Sequence, residues 1–346
     1  MLSSIKKQQG LALITVLFIF ALVSLLAISM QSRQKMSMAQ ASASISLTQA
    51  QLLMVSTEDI AKAALKFEGD RDIDGGDQWD TASELWNKVF PVEIPGANIE
   101  IYIRDLQGLF NLNSLAPGTN AAAATQRFER LLDELLIPGA NIIAQNTRDW
   151  MDPNSSANNL YQSEEPPYSA SANIFTHPSE LMLIQEVDRD IFQKIEPYVT
   201  ALPTDTALNI NTSHAKILRA WDTALKLEDA EEVIAQAHGL PCGPQARKNN
   251  LFEKVDDFWA HAKIAPLVKV KNSTTGKWNP DEFEVYTKYF SVFIKITTED
   301  RELVLESIIK RDMTAGDEFI GVVYRDFSRK VEDIPRLVID MKVNQC

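Results

Sequence analysis

The sequence predicts an α+β fold: a very long N-terminal helix on an antiparallel sheet, with a large, mainly α-helical domain inserted in that sheet. Three observations predict it. Residues 11–68 contain neither glycine nor proline, and the first 22 of them carry no charge; at about 1.5 Å per residue this is one helix of roughly 85 Å. Alternating apolar residues mark one strand near residue 100 and three more after residue 285. Amphipathic helical patterns fill the sequence between them.

The chain opens with a short polar leader, residues 1–10, which holds Lys6 and Lys7 and ends at Gly10. Two lysines before an apolar run place that end on the cytoplasmic side. Leu11–Met30 is long enough to cross a bilayer, which takes about 20 residues. No breaker and no convincing Ala-x-Ala site closes the run, so it does not read as an ordinary secretory signal. Residues 31–68 extend the helix beyond the membrane. There Leu53, Thr57, Ile60, Ala64 and Phe67 recur at intervals of four and three, a narrow stripe for packing on a folded domain or on neighbouring helices.

An acidic segment from Gly69 to Asp80 follows and reads as a solvated loop joining helix to sheet. Asp70, Asp72, Asp74 and Gly75 match the opening of a calcium loop, but its twelfth position is Thr81 where a bidentate Glu belongs. Ala97–Asp105 alternates as a half-buried strand. Later, Phe290, Val292, Ile294 and Ile296 share one face of a strand, and short turns lead into strands at 303–309 and 319–324. Residues 69–113 and 270–346 therefore form the sheet domain and 114–269 the insertion. Within the insertion, Phe128, Leu131, Leu132, Leu135 and Leu136 mark a helix stopped by Pro138 and Gly139. Further helical patterns cover 180–185, 190–199, 215–225 and 229–238. There is also an internal echo: Phe110-Asn-Leu-Asn-Ser114 precedes the first helical block and Leu208-Asn-Ile-Asn-Thr212 a later one. Asparagine, serine and threonine satisfy exposed backbone groups at turns and caps, so the echo reads as architecture.

The chain has 346 residues and a formal net charge of −13, which argues against a nucleic-acid surface. The hairpin-like stretch from Glu180 to Ile195 resembles a helix-hairpin-helix unit. Its connection, Gln185-Glu-Val-Asp188, presents carboxylates to any phosphate backbone, so it reads as a protein-packing module. The two cysteines, Cys242 and Cys346, form one disulfide in an oxidising compartment or remain two thiols. His177, His214, His238 and His261 fall in no metal or catalytic spacing, and no nucleophile elbow or phosphate loop occurs. The sequence does not read as an enzyme, and no cofactor is required.

The leader ending in Gly10, followed by Leu11-Ala-Leu-Ile-Thr-Val-Leu17, resembles the class III leader of type IV pilins and type II secretion pseudopilins. The resemblance implies cleavage between Gly10 and Leu11 by a prepilin peptidase, and N-methylation of Leu11. Most such subunits carry Glu at the fifth mature position, where this chain has Thr15. A membrane carboxylate needs a partner, and threonine does not, as suits a subunit with none ahead of it. That departure and the length resemble the K-type minor pseudopilin. So does the order of Asp105-Leu-Gln-Gly-Leu-Phe-Asn-Leu-Asn113, Asp149-Trp-Met-Asp-Pro153, Pro166-Pro-Tyr168, Ser179-Glu-Leu181, Pro197-Tyr-Val-Thr-Ala-Leu202 and Leu208-Asn-Ile-Asn-Thr212.

By the resemblance, the chain acts at the tip of a type II secretion pseudopilus, starting its assembly for export across the outer membrane. It would be held in the inner membrane with its bulk in the periplasm. Its implied partners are the I- and J-type minor pseudopilins, the major pseudopilin, the prepilin peptidase and the inner-membrane secretion platform. The resemblance also implies calcium in the inserted domain, with Asp149, Asp152, Glu164 and Glu165 as candidate ligands. Residues 154–165 replace the family's usual Gly-Ala-Glu-Asp loop, which counts against that metal. The alternatives are a minor pilin of a type IV pilus or competence apparatus, and an uncleaved membrane-anchored periplasmic adaptor.

Overall fold

The computed structural model describes residues 9–75, 79–82, 84–87, 89–118, 120–237, 251–268, 278–298, 301–313, 318–329 and 334. Cys242, Cys346, His238 and most of the leader lie outside the described residues.

One helix, α1, runs unbroken from Gln9 to Gly75. Up to Ser56 it belongs to a separate compact unit; from Thr57 onward the chain forms the second. In the second unit a five-stranded antiparallel sheet is assembled from both ends of the sequence. Its strands are β1 (Phe90–Ile94), β2 (Ala97–Asp105), β7 (Tyr289–Thr297), β8 (Glu302–Asp312) and β9 (Phe319–Asp326), in the spatial order β1-β2-β7-β8-β9. The expected α+β layout, with its interrupted antiparallel sheet, is therefore the observed one; β1 is an additional edge strand.

Side-chain alternation assigns each sheet face a partner. Ile101, Ile294 and Leu305 stand opposite one another across β2, β7 and β8, and all three are buried. Burying each such side chain contributes about 2 kcal/mol. The same face carries Ser307 and Arg311, which reach Glu58 and the Leu65 carbonyl of α1, so the 57–75 part of α1 lies on it. The opposite face carries Arg104, Glu306 and Ile308, and it receives the insertion. Arg104 donates to the Pro197 carbonyl, Glu306 lies 3.6 Å from His177 Nε2, and Ile308 belongs to the insertion's apolar core.

The insertion contains α2 (Ala121–Glu134), α3 (Ala140–Met151), α4 (Ala157–Tyr161), α5 (Arg189–Ile195), α6 (Ala215–Trp221), α7 (Leu227–Ala237) and α8 (Val255–Ala260). Its core also draws on Leu106–Leu112 and Trp278–Val285, on both sides of the 114–269 limits. The echo has a structural counterpart. Phe110–Asn111 (β3) pairs in parallel with Val199–Thr200 (β4), and Leu208–Asn209 (β5) with Phe283–Glu284 (β6). Each asparagine then caps a 3-10 turn with nearly the same backbone: φ −79, ψ 110 at Asn111 and φ −77, ψ 113 at Asn209.

Three local expectations are corrected. The helix does not stop at Glu68: residues 69–75 are its last turns, so the acidic segment begins as helix. The expected stripe on α1 is out of phase. Thr57, Glu58, Ala61, Leu65 and Glu68 are buried, whereas Ile60 is 51% and Phe67 64% exposed. Two of the buried positions are carboxylates, so hydrophobicity set the phase about one residue, or 100°, off. The 180–185 helix is a 3-10 segment, Pro178–Leu183, and α5 ends at Ile195, short of Val199.

Candidate functional site

The sequence directs attention first to the start of α1. Gly10 is the second helical residue, and Leu11, with the apolar side chains that follow it, is exposed. The Thr15 hydroxyl donates back to the carbonyls of Leu11 (3.2 Å) and Ala12 (2.9 Å). Its polarity is thus satisfied within its own helix, where a carboxylate would need an outside partner. Among the described residues one helix is long and apolar enough to cross a membrane, with a mean hydropathy of 3.0 over its most apolar window.

The metal candidates do not converge. Asp149 lies in α3 and accepts from Gln145 Nε2 (2.9 Å); Asp152 accepts from the Asn154 amide (2.8 Å) in a local turn. Both are committed to their own chain neighbours. Among the described residues no group of three or more His, Cys, Asp or Glu stands close enough to hold an ion, so Asp149, Asp152, Glu164 and Glu165 do not fit a calcium cage. Asp70, Asp72 and Asp74 sit on helical backbone. That backbone is helix and not the loop that the calcium motif calls for. The ring cluster beside Asp149 is structural: Trp150 meets Tyr161 edge-on at 4.9 Å. Burial, with Tyr168, Asp149 and Glu164 adding to it, pushes the Tyr161 phenol up to about 12.

The residues that sequence reasoning missed sit where the sheet meets α1 and the insertion. On the α1 face, Arg325 grips Glu58 with two hydrogen bonds of 2.8 Å, and the Ser307 hydroxyl adds a third at 2.7 Å. Burial pushes the Glu58 carboxyl up, but the bonds from Arg325 and Ser307 outweigh it and hold the group below its ordinary value. On the same face Arg311, fully buried, bonds Asp80 at 2.5 Å, the Leu65 carbonyl at 3.3 Å and the Thr287 carbonyl at 3.1 Å.

Where the strands enter the insertion, Asp105 ends β2. It accepts from the Thr212 and Thr287 hydroxyls (2.5 Å each), from Asn209 Nδ2 (3.1 Å) and from the Gln107 amide (2.6 Å). None of these donors is charged. Burial therefore wins and pushes Asp105 up to about 6, the neighbouring Asp80 adding to the shift. Gly108 makes this approach possible: a Cβ there would stand 2.5 Å from the Thr212 carbonyl oxygen. Beneath the insertion, Glu306 is held low. Burial raises it, but His177 and Arg329 outweigh that. The signal for these residues was present as charges inside apolar patterns, at Glu58, Glu306 and Arg311, and as Asp105 and Gly108 in one short motif.

The architecture offers a helix that can sit in a bilayer, a sheet clasped to the 57–69 part of α1, and a bulky domain clasped to the sheet. The family described as type II secretion system, protein K, matches residues 108–204. The chain is 28% identical to the type II secretion system protein K of Pseudomonas aeruginosa, over 95% of each chain. It is also 28% identical to that of Klebsiella pneumoniae, over 66% of this chain and 74% of that one. Among solved structures, the GspK–GspI–GspJ complex from enterotoxigenic Escherichia coli contains a chain that superposes with a TM-score of 0.68 at 25% identity, covering 84% of this chain and all of that one. The helix-on-sheet fold, the inserted helical domain and these matches agree: in sequence and in fold the chain is similar to the K-type minor pseudopilins of the type II secretion system.

Proposed function

We propose that this chain is the tip subunit of a type II secretion pseudopilus and helps to start its assembly. Prepilin peptidase cuts between Gly10 and Leu11 and Leu11 is N-methylated. Leu11–Met30 holds the subunit in the inner membrane, with its bulk in the periplasm, until assembly draws α1 into the bundle beside the secretion platform. Its partners are the I- and J-type minor pseudopilins, with the major pseudopilin stacking below. The single observation that carries this reading is Thr15, whose hydroxyl is satisfied by its own helix where other subunits place a carboxylate that seeks a neighbour. Association among the helices then rests on apolar packing. The role is structural, and the K-type family supports no catalytic one.

The test is N-terminal sequencing of the protein recovered from membranes. The mature chain should begin at methylated Leu11, and Gly10→Glu should leave the full-length precursor and abolish co-purification with the I- and J-type subunits. A wild-type chain still beginning at Met1 contradicts the reading.

A further inference from the structure

The corner between α2 and α3 breaks several local rules at once. Helix α2 ends in a Schellman arrangement, with the Ile137 amide donating to the Leu132 carbonyl (3.0 Å) and the Leu136 amide to that of Asp133 (2.9 Å). The residue in the left-handed conformation of this motif is ordinarily glycine. Here it is Leu136, at φ 57. Three residues later the same turn does use glycine, Gly139 at φ 73. The Leu136 side chain gains no burial in return: it is 86% exposed, and Ile142 in the first turn of α3 is 49% exposed.

The charges are misplaced as well. The last turn of α2 holds no basic residue, although the helix's negative pole favours one. Instead Glu129 and Asp133 stand one helical turn apart, and among the described residues neither has a cationic partner. Glu134 beside them is paired with Arg219 at 2.5 Å. Like charges four residues apart are unfavourable. A strained, exposed leucine and two uncompensated carboxylates gain nothing within the folded chain; features that break local rules without internal compensation mark function.

We propose that this corner is a docking knob for another protein, one that offers an apolar socket for Leu136 and Ile142 rimmed by Lys or Arg facing Glu129 and Asp133. A second copy of this chain is the wrong partner, because it brings the same carboxylates to the contact. The inference goes beyond the tip-subunit reading and is separable from it.

The test places a benzoylphenylalanine photocrosslinker at Leu136 and, as control, at the exposed Ala123 of α2, in the full chain in cells. The expected result is one dominant protein adduct from Leu136 only, with a yield about fivefold lower when Glu129→Lys and Asp133→Lys are combined. No adduct above the control, an adduct with lipid or a second copy, or an adduct indifferent to the charge reversal overturns the proposal. Leu136→Gly supplies a second readout: the protein should melt higher than its parent, the strain being relieved, yet export about fivefold less protein. A lower melting temperature or undiminished export overturns it. If deleting the whole chain leaves export intact, the tip-subunit reading fails, while the crosslink still decides this one.

Discussion

Two buried carboxylates, Glu58 on α1 and Asp105 at the end of β2, fasten the same sheet to different parts of the molecule, and they behave oppositely. Glu58 meets a guanidinium in a two-bond grip and stays ionised easily. Asp105 meets only hydroxyls and amides, and burial raises it to about 6. The difference shows that the number of hydrogen bonds does not decide the charge state of a buried acid. Depth of burial and the charge of the donors decide together: Asp80, although bonded to the Arg311 guanidinium, is still raised by its burial. The difference also separates two kinds of junction: the helix is clasped by an ion pair that reaches solvent through Arg325, the insertion by a buried carboxylate held by uncharged donors.

The largest expected effect comes from Arg311, which lies between the two. It is completely buried with Asp80 and stacks over Tyr286 and Phe290 at 5.0 and 4.7 Å. Removing one member of such a pair strands the other charge, at a cost of about 3–5 kcal/mol. Arg311→Met should lower the melting temperature by roughly 10 °C in a thermal scan. Combined with Asp80→Leu, much of that loss should return, because the stranded carboxylate is gone. A double variant as unstable as the single would show that the guanidinium acts through its carbonyl bonds and not through its charge.

Asp105 comes next. Its value in the fold, about 6, lies above its ordinary 3.8, so the native state holds this proton more tightly than the unfolded chain does. Stability from this group is fully present below about pH 3.8 and is lost as pH rises through 6, a total of about 3 kcal/mol. Glu58 runs the other way, its contribution present above its ordinary 4.5 and lost as pH falls through its depressed folded value. Urea unfolding of Asp105→Asn at pH 4.5 and 7.5 should therefore show a flatter pH dependence than the parent, with the gain at the higher pH. Parallel profiles would mean that Asp105 titrates as an ordinary carboxylate.

What the sequence made legible follows from the same distinction. The long helix and the strands of β2 and β7–β9 repeat at the periods of their own backbones, so each could be read locally; β2 runs over Ala97–Asp105, the predicted span. The asparagine echo could be read as capping because each side chain serves its own turn two residues on. Illegible were features set by distant partners. Nothing near Glu58 in sequence announces Arg325, 267 residues away, so the stripe on α1 was phased on Ile60 and Phe67. Helix α3 was missed, and its Asp149 was considered only as a ligand. The Asp70–Asp74 spacing imitated a calcium loop because composition does not reveal that the helix continues through it.

The smallest effect should come from Glu58→Gln, and it tests the comparison most directly. Arg325 is 41% exposed, so water and salt screen its charge. Losing the ionic part of the pair should cost about 1 kcal/mol, while Gln keeps an acceptor for Ser307 and Arg325. Added salt should narrow the gap between Glu58→Gln and its parent, because the partner's charge is reached by ions. The same salt should leave the gap between Arg311→Met and its parent unchanged, since neither member of that pair touches solvent. Equal salt responses would mean that both junctions are solvated alike in solution, and the distinction between an open clasp on the helix and a sealed one beside the insertion would fail.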